Sequence, residues 1–166
     1  MTTGTQWLDR EERRAWLALY AVSSLLPGAL DAHLFKEARI TLFDYHVLAM
    51  LSESADRTLP MSDLAARSSA SLSRLSHVVK KLEQRGWVIR RPSSFDGRVT
   101  TAELTPEGLT TLTELAVSHV AQVRGTVFDA LDDTDVADLE RVGRKILARL
   151  DADSWILREV LGSDVP

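Results

Sequence analysis

The sequence predicts a mainly α-helical fold carrying one small β-hairpin. Three observations predict it. Apolar residues recur at spacings of three and four over most of the chain, as helices with one buried face require. That period breaks once, between Trp87 and Leu104, where two short alternating runs flank Pro92-Ser93-Ser94-Phe95-Asp96-Gly97. Two such runs joined by a turn containing Asp-Gly form a hairpin. The third observation is size: 166 residues, 45% apolar and 27% charged, make one ordinary globular domain that buries a core without covalent staples.

The elements follow in order. Asp9 starts the first helix, with Glu12 three positions on as a capping-box partner, and Trp16, Leu19, Ser23, Leu26, Leu30 and Leu34 form its stripe. Pro27-Gly28 is expected to kink or interrupt it. Thr41 caps a second helix, with Asp44 at its third position, running through Tyr45, Val47, Leu48 and Leu51. Ser52 to Pro60 reads as a loop, Met61 to Arg67 as a short helix and Ser68 to Ala70 as a tight connection. Ser71 begins a helix whose buried face is Leu72, Leu75, Val78, Val79 and Leu82, ended by Gly86 at a left-handed cap. The strands are Trp87 to Arg91 and Arg98 to Leu104. Thr105 caps the next helix with Pro106 at its first position, where the missing N–H costs nothing. Leu109, Leu112, Ala116, Val120, Val123 and Val127 continue its stripe until Asp132-Asp133-Thr134 breaks it. A last helix rests on Val136, Leu139, Val142, Ile146 and Leu150, and Trp155 to Leu161 adds a further turn or two. One compact domain results, in three parts: 9–40, 41–104 and 105–162.

Charge is distributed unevenly. The chain as a whole carries 20 basic and 24 acidic side chains, net −4. Ser62 to Arg98 holds Arg67, Arg74, Lys80, Lys81, Arg85, Arg90, Arg91 and Arg98 against Asp63, Glu83 and Asp96, net +5, and the remainder is at −9. A cationic segment in an acidic body is the footprint of a local phosphate-binding surface; chance clustering on a solvated helix face is the plain alternative. Absence of cysteine excludes disulfides, thiolate metal sites, a cysteine nucleophile and thiol redox sensing. No apolar run is expected to approach the roughly 18 residues of a membrane span, and the N-terminus lacks a signal peptide's order. A cytoplasmic protein is expected, without membrane association.

Helix, tight turn, helix and two-stranded hairpin, in that order, make a winged helix-turn-helix. Away from its apolar face the Ser71 helix carries Ser73, Arg74, His77, Lys80 and Lys81. Such a helix fits the major groove, where arginine bonds guanine in bidentate fashion. Ser71 and Ser73, near the helix start, suit phosphate beside free backbone N–H groups. Arg90, Arg91 and Arg98 on the hairpin are placed for the flanking backbone, and an arginine at the tip for a narrow minor groove. Catalytic signatures are absent: there is no G-x-S-x-G, H-E-x-x-H, phosphate loop or dinucleotide fingerprint, so neither an enzyme nor a cofactor is expected. Ser71, Ser73, His77 and Asp96 supply the residue types of a triad without its spacing. The competing class is a winged helix used only for protein–protein contact, which needs no arginine-rich wing.

Residues 73 to 109, SRLSHVVKKLEQRGWVIRRPSSFDGRVTTAELTPEGL, resemble the recognition helix and wing of the MarR family of transcriptional regulators. The most diagnostic part is D-x-R followed by L-T-x-x-G, here Asp96, Arg98, Leu104, Thr105 and Gly108. The resemblance implies that Asp96 holds Arg98, that Arg98 reaches into the minor groove, and that Ser73, Arg74 and His77 read bases. It also implies a homodimer with interlocked first and last helices, bound to a pseudo-palindromic operator as a repressor. The residues support a dimer on their own account. Leu112, Val120, Val123, Val127, Phe128, Ile146 and Leu147 are too apolar for a helix pair with nothing on its far side, and two recognition helices about 34 Å apart match half-sites one turn apart.

By the same resemblance, a small phenolic or carboxylate effector is held between the dimer helices and the winged unit. Trp16 and Tyr20 on the first helix, Tyr45, His46 and Met50 on the second, and Arg39 nearby are the residues suited to an aromatic acid; each also has an ordinary reading as core or interface. No metal site is expected. His33 and Glu37 are only two ligands, His46, His77 and His119 stand apart, His77 is placed toward DNA, and His119 reads as an interface residue.

Overall fold

The computed structural model describes residues 6–94 and 96–160. Six α-helices and three short strands follow in the order α1 (Arg10–Ala38), α2 (Leu42–Ser52), β1 (Thr58–Pro60), α3 (Met61–Arg67), α4 (Leu72–Gln84), β2 (Val88–Pro92), β3 (Thr100–Leu104), α5 (Pro106–Thr126) and α6 (Asp133–Leu150). The mainly helical fold with a hairpin is the one the sequence predicts. Capping explains most boundaries: Asp9 with Glu12, Thr41 with Asp44 and Asp132 with Asp135 each form a reciprocal capping box, satisfying backbone groups at a helix start that have no intrahelical partner.

Several boundaries differ from expectation. α1 runs through Pro27 without interruption. Proline there removes one N–H and leaves the Ser23 carbonyl without its helical donor, but that stretch is exposed, so solvent can donate to the carbonyl in place of the missing N–H. Residues 58–60, expected as loop, form a third strand, giving the antiparallel order β1-β3-β2 with Leu59 opposite Ala102 and Arg90 on the other side of Ala102. Asp132 opens α6 rather than merely ending α5, which stops earlier in a 3₁₀ turn at Phe128–Ala130. Leu72, expected in the buried face of α4, is 55% exposed, because the first turn of that helix projects past the core. Ile156–Val160 winds as a π-helical turn; the expected reach of this element to 161 and 162 lies outside the described residues. α1 is also apolar and long enough to cross a bilayer by length and composition, contrary to the sequence expectation.

The core gathers Val47, Leu48, Met50 and Leu51 of α2 with Leu64, Leu75, Val79, Leu82, Val88, Ala102 and Leu104, and Leu112 of α5 closes it. Leu34 and Ile40 with Leu115 form a second cluster. Burial then stops. The first half of α1, the outer half of α5 and all of α6 leave large apolar side chains exposed, and no residue of α6 is buried.

Wing and body meet where α5 begins. The Thr105 N–H donates to the Trp87 carbonyl (3.0 Å), its hydroxyl donates to the Gly86 carbonyl (2.7 Å), and its oxygen accepts from the Gly108 N–H (3.0 Å). Gly86 sits at φ +75° after α4, the left-handed conformation glycine adopts without a steric penalty. A Cβ on Gly108 would fall 2.2 Å from the Trp87 carbonyl oxygen. The spacing L-T-x-x-G thus describes a cap plus a close approach of helix to strand. Gly108→Ala is expected to cost about 1–3 kcal/mol and lower the melting temperature by several degrees, read by thermal denaturation; an unchanged midpoint overturns this account of the motif.

Candidate nucleic-acid interface

The α3–α4 pair is joined by a turn in which the Ala70 N–H donates to the Ala65 carbonyl (3.0 Å) and Ser69 takes a left-handed φ of 48°. Ser71 caps α4, its Oγ accepting from the Arg74 N–H at 3.2 Å. With Leu75, Val78, Val79 and Leu82 buried, helical geometry turns Ser73, Arg74, His77 and Lys80 outward, and all four are exposed. The Arg74 guanidinium lies 4.0 Å from the centroid of the Phe43 ring, a cation–π contact that parks it against α2.

Lys81, expected on the DNA-facing side, is half-buried and engaged within the fold. Its Nζ meets Asp44 Oδ2 at 2.5 Å, and Asp44 is 2% exposed. That carboxylate also accepts the Thr41 N–H (2.7 Å). A charge so far from water needs a partner, so Lys81 is the counter-ion that ties α4 to the cap of α2.

Most other cations of the basic segment are likewise engaged. Arg67 pairs with Glu159 at 3.0 Å. Arg85 donates to the Ala38 and Arg39 carbonyls at 2.7 and 3.2 Å, closing the end of α1. Arg90, expected at the DNA backbone, donates through Nε and Nη2 to Glu83 Oε2 at 2.8 and 2.6 Å; these bonds hold the Glu83 carboxyl below its ordinary pKa. Arg91 pairs with Glu103 at 3.2 Å but stays exposed. Among the described residues, Arg74, Lys80 and Arg98 are the cations of residues 62–98 with neither an anionic partner nor, as Arg85 has, backbone carbonyls to hold them. Asp44, Glu103 and Glu159 lie outside that segment, which is why a charge sum over it overstates the free positive surface.

At the wing tip, Asp96 Oδ1 accepts the backbone N–H of Arg98 at 3.0 Å, and the Val99 N–H donates to the Asp96 carbonyl at 2.9 Å. Asp96 therefore builds the turn that presents Arg98. It holds the arginine by its backbone, not by its guanidinium, which is exposed.

A cavity of about 490 Å³ opens between α1, α2, α4 and α5, lined by Pro27, Phe43, Tyr45, His46, His119 and Arg74 among others. Of the six residues expected to hold an effector, Tyr45 and His46 line it. Met50 is core at 5% exposure. Trp16 and Tyr20 lie with tilted rings 6.1 Å apart on the exposed half of α1. Arg39 is the left-handed cap of α1 and lies over Phe35. Phe43, Arg74 and His119 are the residues that sequence reasoning missed here; they meet across three helices, and no periodicity within one helix signals that. The His119 ring sits 4.2 Å from that of Tyr45 and its Nδ1 is buried without a hydrogen-bond partner. Burial, and then the charge of His33, lower its pKa. His33 and Glu37 do share a face of α1, 3.7 Å apart, and among the described residues no third metal-ligating group joins them.

A family model described as MarR family matches residues 40–100. Sco3205 of Streptomyces coelicolor, a MarR family transcriptional regulator solved in complex with DNA, matches with a TM-score of 0.86 and 35% identity, over 90% of this chain and 94% of that one. AbsC, a MarR family regulator of the same organism, matches at 0.84 and 36%, over 90% of this chain and all of its own. The transcriptional repressor MprA of Escherichia coli (strain K12) is 31% identical over 108 residues, 64% of this chain. The match spans 60% of MprA's length.

Lys81→Ala is expected to destabilise the fold by about 1–3 kcal/mol, leaving a buried carboxylate short of a donor, while Lys80→Ala leaves stability unchanged; urea denaturation of the two variants checks the contrast. His119 makes stability depend on pH. Its folded pKa lies below the ordinary value of 6.5, so its contribution is full above about 6.5 and is lost as pH falls through the folded pKa. The urea midpoint should therefore drop as pH falls below about 6.5, and His119→Phe should drop less. Identical pH profiles would refute that assignment.

Proposed function

The chain belongs to the MarR family, and we propose that it is a homodimeric, sequence-specific regulator of transcription that binds double-stranded DNA and acts as a repressor in the cytoplasm. The relatives named above are regulators and not enzymes. One observation carries the DNA reading. The fold neutralises five of eight cations around the helix-turn-helix with its own anions and carbonyls, and leaves exposed those a duplex would meet first. Arg74 and Lys80 stand on the outer face of α4, and Arg98 stands on the wing. In this proposal Ser73, Arg74 and His77 read base edges from the major groove, Ser71 and Lys80 serve phosphate, and Arg98 enters the minor groove. Arg91, exposed and held loosely by one carboxylate, is free to exchange that partner for phosphate. Lys81 and Arg90 position other groups.

The dimer rests on three apolar faces exposed together: the first half of α1, the outer half of α5, and α6. A second copy offers the same faces and closes them with two-fold symmetry. This also accounts for the apolar length of α1 as a seam between proteins. For the effector, the cavity beside Tyr45, His46 and His119 supplies aromatic walls. Arg74 lines both this cavity and the groove formed with Ser73 and His77. An aromatic carboxylate bound there would draw the guanidinium away from a base, lowering DNA affinity by its preference for the withdrawn state.

Fluorescence anisotropy with duplexes selected from a random pool tests the function. Affinity should fall steeply with salt, with a slope of about −0.9 per phosphate contacted. Arg74→Ala should cost about 1–3 kcal/mol and relax specificity at one base pair of each half-site. Salt-independent binding would instead favour a protein-contact module, and equal weakening on every sequence would assign Arg74 to phosphate.

A further inference from the structure

The segment after α6 makes contacts that DNA reading as described does not use. α6 buries none of its side chains on its own chain, yet the residues that follow it return to the helix-turn-helix. Ser154 is buried at 5% exposure. Trp155 packs against the core cluster, and its indole N–H donates to the Arg67 carbonyl at 2.8 Å. Arg67 is the last residue of α3, where helical carbonyls lack intrahelical donors, so the indole acts as a C-terminal cap supplied from 88 residues away. The Arg67 guanidinium lies 5.4 Å from the centroid of the same indole and pairs with Glu159 at 3.0 Å. One arginine is thus gripped at its carbonyl, over its guanidinium and at its charge by a single short segment. Immediately after it come Ser68, the left-handed Ser69 and Ala70, the turn that sets the angle between α3 and α4. Beside these contacts an open groove of about 470 Å³ is lined by Ala65, Ala66 and Ala70 on one side and by Asp151, Asp153 and Arg158 on the other, with Trp155 also in its wall. The polar contacts across this junction are those of Trp155 and Glu159 with Arg67.

We propose that Trp155 is a positioning residue: it straps the end of α6, and with it the dimer seam, to the turn before the recognition helix, and so sets the spacing at which the two reading helices of a dimer engage DNA. This rests on the dimeric DNA-binding reading above. A strap on the α3–α4 turn restricts the rotation of α4 relative to α6, and a dimer whose reading helices are held at one separation discriminates between half-site spacings. A dimer with loose heads tolerates more than one.

The test compares wild type, Trp155→Ala and Trp155→Phe, the last keeping a ring over Arg67 but losing the indole donor. Amide exchange of residues 68–74 should rise about tenfold in Trp155→Ala and by less in Trp155→Phe, with α2 and β3 amides unchanged. All three proteins should sediment at the same mass. On a duplex selected by wild type, inserting two base pairs between half-sites should weaken wild type about tenfold and Trp155→Ala only about threefold. Unchanged exchange at 68–74, or a rise shared equally by α2 and β3, overturns the strap. Local loosening with the spacing penalty intact overturns its role in half-site spacing. Wild type that binds no duplex defeats the DNA reading instead, and the exchange arm still decides the strap.

Discussion

One carboxylate withdrawn from water organises the reading head. Asp44 closes the capping box of α2 and is met from across the fold by Lys81. Because an isolated buried charge is far costlier than a paired one, the pair permits only arrangements in which α4 lies on the start of α2. Phe43, the residue before it, then comes under Arg74, and the outer face of α4 is presented in one orientation. The register of every outward-facing residue on that helix depends on this pairing.

The same arrangement explains why a basic segment need not be a basic surface. Glu83, Glu103 and Glu159 each hold an arginine, and two carbonyls at the end of α1 hold another. These arginines brace the hairpin, the turn and the first helix against one another. What is left for a ligand without first breaking such a contact is a narrow set: Arg74, Lys80 and Arg98. A few free cations on a net-acidic body would favour docking of a polyanion in one pose over diffuse adhesion, since acidic flanks repel it elsewhere.

Local chemistry was legible in the sequence. Asp9, Thr41, Ser71 and Thr105 mark helix starts through hydrogen bonds that span three residues, and Gly86 marks an end through a conformation that glycine adopts freely. The two long strands announce themselves by alternation. β1 does not, because three residues are too few to display a period. Pro27 misleads because its usual penalty is met by solvent at that site. The site was legible only in part. Exposure of Ser73, Arg74, His77 and Lys80 follows from helical spacing. That Lys81 faces Asp44, Arg90 faces Glu83 and Trp155 faces Arg67 depends on how elements pack, over separations of 37, 7 and 88 residues. The cavity suffers from the same blindness, its walls coming from four helices.

A helix with no buried side chain has no reason of its own to stay where it is. On the proposed assembly, α6 is ordered by its copy, so folding of this arm and pairing of the chains are a single equilibrium, governed by how much protein is present. Occupancy of a promoter would then climb more steeply than in proportion to expression at low levels. Such a regulator would carry a threshold in its own abundance, before any small molecule intervenes.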